Sequence, residues 1–329
     1  MIRTGAYSGI QADGNIVCLL CPAKCVLSQG KAGICRSRFN HKGSLVTDNY
    51  GEAVTLAVDP IEKKPLYHYY PGASILSTGP NCCNLVCLHC QNWRISQEKT
   101  ETTYYSPERL VEIAAASKSL GVAFTYSEPI VWFEYIMDTA PLLRKKGMKV
   151  VLVTNGYVNQ SPLEELLTVT DAMNIDLKGI SREFYARICK GRVEPVFATI
   201  RRVAASDVHL ELTNLIIPGE NDSDRDIQGV IDFVTSLSDL IPIHFSAFHP
   251  DYRLQRPSTP TATLLRAYEL ASQKLKFVYL GNAEILIGRD TACPACGHVL
   301  IRRTGYDIMM VGLTKNACQN CGYQTGIRV

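Results

Sequence analysis

Three cysteines with the spacing Cys83-x3-Cys87-x2-Cys90 directly follow a predicted strand, and their type and spacing suit iron–sulfur chemistry. Cysteine thiolates are the usual ligands of such clusters, so this loop can hold three irons of a [4Fe–4S] cubane. The fourth iron then stays open and can accept the amino and carboxylate groups of a bound ligand. A structural zinc site would usually contain CxxC pairs and close all four positions. With Cys82, four cysteines lie within the nine residues 82–90. Thiols that act only as small apolar side chains would not explain this density.

Two further cysteine groups flank this loop. The N-terminal group is a complete ligand set for one closed site, which predicts either structural zinc or a second iron–sulfur cluster. The C-terminal group consists of two CxxCG knuckles, which indicate a zinc ribbon, with rubredoxin-type iron as the alternative. Clustered thiols of this kind, in a reducing compartment, indicate metal rather than disulfides. The two groups are Cys18, Cys21, Cys25 and Cys35, and Cys293, Cys296, Cys318 and Cys321.

The composition of the 329-residue chain excludes several classes of protein. The net charge of +3, from 34 basic and 31 acidic residues, argues against a strong interaction with nucleic acid or an anionic membrane. No run of 18 apolar residues occurs, and the first residues lack the apolar stretch of a signal peptide. We therefore expect a cytoplasmic protein that does not enter a membrane.

Between the cysteine groups, short β-branched apolar runs alternate with amphipathic stretches, which predicts a parallel sheet covered by helices. Ser106, followed by Pro107, predicts one helix start. Residues 73–287 carry this rhythm, whereas residues 1–72 and 288–329 lack it and are predicted to be separate lobes. The predicted strands lie near 74–77, 121–125, 149–154, 172–176, 209–217, 243–248 and 276–280. The predicted helices span 129–146, 162–167, 181–188, 224–237 and 261–275.

Polar residues follow the predicted strands, and in a parallel array these strand ends lie on one face. The loop NCCNLVCLHCQNWRIS resembles the radical S-adenosylmethionine (SAM) superfamily, in detail the radical enzymes of the AmmeMemoRadiSam system, which are related to pyruvate formate-lyase activating enzymes. The resemblance implies a partial (β/α)6 barrel with small cysteine-rich lobes, a redox-active [4Fe–4S] cluster, and a 5′-deoxyadenosyl radical that abstracts hydrogen from a substrate. Further matching stretches are Cys18-Leu-Leu-Cys21-Pro, Asp59–His68, Thr125-Tyr-Ser-Glu128-Pro, Thr154-Asn-Gly156, Asp176-Leu-Lys178-Gly, Ile217-Pro-Gly219, Phe248-His-Pro250 and Gly281-Asn282.

The chain departs from the family pattern at two positions in the loop. Cys82 stands where the family usually has glycine, and we expect it to be a bystander. His89 stands where an aromatic residue commonly stacks near the adenine, and an imidazole face can still stack there.

The resemblance also implies which side chains hold SAM. Glu128 is expected to bind the amino group of the methionine moiety, although an acid favoured by a helix N-terminus is the alternative. Asp176 and Lys178 are expected beside the ribose and the carboxylate, with a surface ion pair as the alternative. Weaker candidates are Asn155, which an ordinary turn would also explain, Thr213, and His249, for which a histidine satisfied within the core is the alternative.

These features favour an enzyme that receives electrons from a low-potential flavodoxin- or ferredoxin-type donor and acts on a protein or peptide. The competing hypothesis is a non-catalytic interaction module in which all three cysteine groups are structural. The run Asp59–His68 suggests no mechanism of its own, and its lysines are interpreted as a solvated face.

Overall fold

A nine-stranded sheet forms the centre of the structure, a computed structural model that describes residues 2–329. Seven strands are parallel and adjacent in chain order, as their buried apolar sequences predict. The sheet does not close on itself, because its first and last strands have no common hydrogen bonds. The seven strands are Ser74–Pro80, Gly121–Phe124, Lys149–Thr154, Ala172–Asp176, His209–Ile216, Ile243–Ala247 and Val278–Gly281.

The remaining two strands of this sheet are antiparallel. Glu52–Pro60 pairs with Ser74–Pro80 on one side and with Thr103–Tyr104 on the other. Glu52–Pro60 falls within the predicted N-terminal lobe, so the central sheet extends into a region that lacks the βα rhythm.

Helices cover the parallel strands. Pro107–Ala116 begins as predicted, because the Ser106 side chain accepts a hydrogen bond from the backbone N–H of Arg109. Val193–Ala204 was not predicted, and its first turn has no side-chain cap. No helix among residues 2–329 is long and apolar enough to span a membrane. The other helices are Trp93–Gln97, Phe133–Lys145, Gln160–Val169, Arg182–Phe184, Asp224–Thr235 and Thr261–Ser272, with 3₁₀ turns at Ile61–Lys63 and Pro129–Trp132 and a π-helix at Tyr185–Cys189.

Small sheets make up both cysteine-rich regions. The N-terminal sheets combine Arg3–Thr4, Arg38–His41 and Ser44–Thr47, and Ser8–Ile10, Ile16–Cys18 and Val26–Leu27. The C-terminal ribbon combines Thr291–Ala292, Val299–Thr304 and Asp307–Met310, and a hairpin of Leu313–Thr314 and Ala317–Cys318. The N-terminal apolar residues belong to the core of the barrel, whereas the ribbon has a small core of its own.

A buried carboxylate organises the amino ends of the strands, opposite the predicted site. Glu211 accepts hydrogen bonds from the ring nitrogens of His209 and His244 at 2.9 and 2.7 Å and from the backbone N–H of His68 at 2.7 Å. Burial alone would raise the pKa of Glu211, but its histidine partners hold that pKa well below the ordinary value. The ribbon joins here, because Arg303 donates to the Tyr67 carbonyl at 2.9 Å. Apolar residues of segment 61–70 also pack against the parallel strands, namely Ile61, Leu66 and Tyr69 against Ala123, Val151 and Ala172.

Candidate active site

A cavity of about 520 Å³ opens at the carboxyl ends of the parallel strands, where barrel enzymes place their sites. It brings together the three cysteines of the central loop and six of the seven predicted SAM-binding residues. The seventh, His249, is exposed and does not line this cavity; it hydrogen-bonds Ser258 and the Asn282 carbonyl. His249 is therefore also not a satisfied core histidine. The lining set is Cys83, Cys87, Cys90, His89, Glu128, Asn155, Asp176, Lys178 and Thr213.

The π-helix Tyr185–Cys189 supports the cysteine loop from behind. The backbone N–H groups of Val86 and Leu88 donate to the carbonyls of Cys189 and Ile188 at 3.2 and 2.9 Å. A hydrogen bond between the Cys189 and Cys87 side chains is the main reason why the pKa of Cys87 is raised well above its ordinary value. Cys189, the one cysteine outside the three sequence groups, thus contacts one of the predicted cluster ligands. Short π-helical segments are frequent at functional sites. An isolated cysteine in the sequence, however, does not indicate that it contacts Cys87.

Cys82 adopts a φ of 119°, a conformation that favours glycine. Its side chain is buried against Cys35 and Val131 and is absent from the cavity lining. The departure from the family pattern therefore has a backbone cost at this position.

Glu128 is buried, and three donors engage its carboxylate. Oε1 accepts from the Thr154 hydroxyl at 2.6 Å and from the Ile130 N–H at 3.0 Å, and Oε2 accepts from the Asn155 N–H at 2.8 Å. Burial raises the pKa of Glu128 to about 7, against the effect of these hydrogen bonds. The residue caps the 3₁₀ turn that begins at Pro129, as the alternative interpretation proposes, and it also faces the cavity.

Asn155 ties the third parallel strand to the cysteine loop. Its Nδ2 donates to Asn84 Oδ1 at 2.9 Å and lies 3.7 Å from Cys83 Sγ. Its Oδ1 accepts from the Tyr157 N–H at 2.8 Å, which forms the turn expected of an Asn-Gly sequence. Asn155 therefore combines a turn with a direct contact to the loop.

Asp176 and Lys178 form an ion pair at 2.8 Å at the end of the fourth parallel strand. Thr213 is paired with Asp176 on the next strand and donates to Asn174 Oδ1 at 2.9 Å. Burial disfavours the charge on Lys178, but Asp176 and the nearby thiols raise its pKa well above the ordinary value. The pair is thus an ion pair that lines the cavity rather than an isolated surface contact.

His89 is buried, and burial lowers its pKa to about 3, so the ring is neutral. Its Nδ1 has no hydrogen-bond partner among residues 2–329. Burial also raises the pKa of Cys83 well above its ordinary value. Thiols ionise when a metal replaces the proton, so one buried thiol, two half-buried thiols and an unpartnered ring nitrogen suit a cluster and a ligand beside it.

Several cavity residues were not identified from the sequence. Asp59 accepts from Lys64 at 2.8 Å, Lys63 at 3.1 Å and the Tyr126 hydroxyl at 2.7 Å. Burial alone would raise the pKa of Asp59, but these partners hold it below the ordinary value. Lys64 is buried, which corrects its interpretation as part of a solvated face, whereas Lys63 is exposed as that interpretation expects. From the ribbon, Tyr306 also lines the cavity.

The two flanking cysteine groups differ in spacing. In the ribbon, Cys293 and Cys321 sulfurs are 3.6 Å apart and Cys296 and Cys318 sulfurs are 3.7 Å apart, and all four lie within 4.8 Å of one another. A tetrahedral site with metal–sulfur bonds of about 2.3 Å requires sulfurs about 3.8 Å apart, so the ribbon fits a single metal ion. The N-terminal cysteines instead surround a second, smaller cavity.

Comparison with known proteins agrees with this geometry. Residues 78–234 match the radical SAM superfamily. Residues 78–234 therefore form a radical SAM domain, and the chain is an enzyme that has the radical SAM α/β fold with a group of four cysteines near its C-terminus. The chain is 42% identical over 324 residues to the uncharacterized protein MJ0808 of Methanocaldococcus jannaschii. This alignment covers 96% of each of the two chains. The non-catalytic interpretation is therefore wrong.

One more distant relative and one solved structure resemble parts of the chain. The pyruvate formate-lyase 1-activating enzyme of Escherichia coli is 24% identical over 174 residues, covering 51% of this chain and 71% of that enzyme. The crystal structure of Streptococcus suis SuiB bound to S-adenosylmethionine superposes with a TM-score of 0.52 at 13% identity, covering 66% of this chain and 50% of SuiB. The latter likeness concerns the fold alone.

Proposed function

We propose that this enzyme reductively cleaves SAM and uses the resulting radical to abstract hydrogen from a protein or peptide. The observation that carries the proposal is the single cavity in which three cluster-type cysteines face Glu128 and the Asp176–Lys178 pair. A volume of about 520 Å³ is within the range of about 300–1,000 Å³ usual for small-molecule sites, so the cavity has room for SAM.

Each polar group in the cavity has a specific proposed task. Cys83, Cys87 and Cys90 would hold a [4Fe–4S] cluster, which together with SAM supplies the 5′-deoxyadenosyl radical when both are bound. Glu128 accepts the ammonium of the methionine moiety, because its carboxylate is held rigidly by three donors. The remaining contacts are His89 against the adenine, Asp176 and Lys178 at the ribose and carboxylate, and Asn155 and Thr213 at the strand ends.

A protein or peptide substrate is supported by one of the relatives described above. The relative in Escherichia coli is named for activating a protein, pyruvate formate-lyase. From the motifs that resemble that family, we also propose that the chain is a radical enzyme of the AmmeMemoRadiSam system and that its ribbon holds zinc.

A low-potential flavodoxin or ferredoxin is the proposed electron donor. The cytoplasm is the proposed compartment, because cysteine sites of this kind require reducing conditions.

The proposal is tested by anaerobic reconstitution with iron and sulfide, followed by dithionite and SAM. We expect the wild type to form 5′-deoxyadenosine and a Cys83→Ala, Cys87→Ala, Cys90→Ala triple variant to form none. Cys82→Gly is the matched control, because it removes the neighbouring thiol and suits the φ of 119°. A reconstituted wild type that binds iron but forms no 5′-deoxyadenosine would contradict the proposal.

A further inference from the structure

We propose that Cys18, Cys21, Cys25 and Cys35 bind a second [4Fe–4S] cluster, separate from the cluster of the central loop. The four cysteines line one small cavity between the N-terminal sheets and the barrel. The proposal does not depend on the activity proposed above, because it concerns a different set of ligands.

The spacing of the sulfurs argues against zinc in this cavity. Within residues 2–329, only the ribbon brings three or more metal-ligating atoms within 4.8 Å of one another. The N-terminal sulfurs are therefore spread more widely than four ligands of one tetrahedral ion, which lie about 3.8 Å apart. In a cubane each thiolate binds a different iron, so the ligands must be further apart. The cysteines of the central loop also lack the tight spacing of the ribbon.

A buried donor without a partner also lines this cavity. The Arg38 side chain is 1% exposed, and its terminal nitrogens bind Glu134 at 2.7 and 2.9 Å. Its Nε has no hydrogen-bond partner among the described residues. An unpaired buried N–H is costly, and a cluster sulfur would accept it. An all-apolar cavity would offer no partner for this group.

Donors already contact two of the cysteine sulfurs. The Ile34 N–H donates to Cys25 Sγ at 3.4 Å, and the Ser37 hydroxyl donates to Cys35 Sγ at 3.6 Å. Gly33 makes room for this arrangement, because a Cβ at that position would lie 3.2 Å from Cys25 Sγ. Such N–H···S and O–H···S contacts stabilise metal-bound thiolates and adjust the reduction potential of a cluster.

The rest of the lining is apolar or belongs to the barrel. Leu20 and Val131 are buried and keep water away on their side of the cavity, Ile34 lies at the surface, and Asn84 forms part of the wall. Asn84, which lines this cavity, directly follows Cys83, the first predicted cluster ligand of the central loop. A single peptide bond therefore joins the two sites. With four cysteine ligands, every iron is occupied and no site stays open for SAM.

The first test measures iron, sulfide and zinc in the Cys83→Ala, Cys87→Ala, Cys90→Ala triple variant, prepared and reconstituted anaerobically. We expect it to retain about four irons and four sulfides per chain, because the N-terminal site is intact. Adding Cys21→Ser and Cys35→Ser should remove this iron and leave the zinc of the ribbon. Adding Cys82→Gly instead is the matched control and should leave the iron unchanged, since Cys82 contacts Cys35 without lining the cavity.

Retention of a second zinc without iron in the triple variant would overturn the proposal, and so would loss of iron in the Cys82→Gly control. A second measurement uses the wild type, in case the multiple variants do not fold. We expect about eight irons per chain and two overlapping EPR signals after reduction, of which SAM alters only one. About four irons and a single signal that shifts completely with SAM would exclude the second cluster while leaving the radical activity intact.

Discussion

The two flanking cysteine groups each contain four cysteines but differ in architecture. In the ribbon the sulfurs are close together, Cys296 and Cys321 are exposed, and the surrounding core is small and separate. In the N-terminal site the sulfurs are spread around a cavity, and the surrounding apolar residues belong to the core of the barrel. Two groups of four cysteines can therefore differ in burial, because one packs in a small core of its own and the other packs against the core of the barrel.

The largest expected effect is loss of the ribbon metal. Cys293→Ser with Cys318→Ser removes the two buried ligands, and structural zinc contributes about 10–16 kcal/mol in small zinc-dependent folds. We expect loss of one zinc per chain and faster proteolysis confined to 288–329, measured by metal analysis and mass spectrometry. Iron content should not change. If iron is lost together with zinc, the two sites are not independent.

The next effect concerns the buried ion pair at the N-terminal site. Arg38→Met leaves the Glu134 carboxylate without its partner, and breaking a buried pair typically costs about 3–5 kcal/mol. We expect a lower midpoint of anaerobic thermal unfolding and weaker iron retention. Arg109→Met removes an exposed partner of Glu112 and is the control, with no measurable change expected. An equal effect of both variants would contradict the importance of burial.

A third variant damages the SAM site while sparing both flanking sites. Glu128→Gln keeps the size of the side chain but removes the charge that faces the ammonium of SAM. Hydrogen bonds to charged groups contribute about 1.5–3 kcal/mol, so affinity should fall roughly 10- to 100-fold. Equilibrium dialysis with reconstituted protein measures this change, and iron and zinc should be unaltered. If the affinity for SAM is unchanged, the ammonium group of SAM binds elsewhere in the cavity and not at Glu128.

The smallest effect tests the barrel segment to which the ribbon is attached. Burial lowers the pKa of His68 to about 3. The negative charge of Glu211 raises this pKa, whereas Arg303, His209 and His244 lower it further. The unfolded state takes up a proton near pH 6.5 and the folded state does not, so stability falls as the pH decreases toward 3. Between pH 7 and pH 5 the loss is about 2 kcal/mol.

His68→Gln should therefore flatten the dependence of the unfolding midpoint on pH over this interval, measured by anaerobic thermal denaturation. His41→Gln, at an exposed histidine, should keep the slope of the wild type. An identical slope in all three proteins would mean that another group controls acid stability.

The sequence predicted the parallel strands well, because apolar β-branched runs buried on both faces have few alternatives. It missed Val193–Ala204, whose start lacks a capping side chain, and Glu52–Pro60, whose partner strand is antiparallel. The burial of Lys64 could not be predicted, because lysine is almost always exposed unless a partner is present, and its partner Asp59 is identified only by the fold. Cys189 was missed for the same reason, since its partner Cys87 lies far away in the chain.

The hydrogen bonds between segment 68–70 and Arg328 have a consequence for the order of biosynthesis. Tyr70 donates its backbone N–H to the Arg328 carbonyl at 2.7 Å, and the Arg328 N–H donates to the His68 carbonyl at 2.9 Å. The entire barrel is translated between these partners, and contacts so distant in sequence form late because closing the intervening loop is entropically costly. In a nascent chain, segment 68–70 would thus find its last partner only after all the parallel strands and the three cysteine groups have been translated.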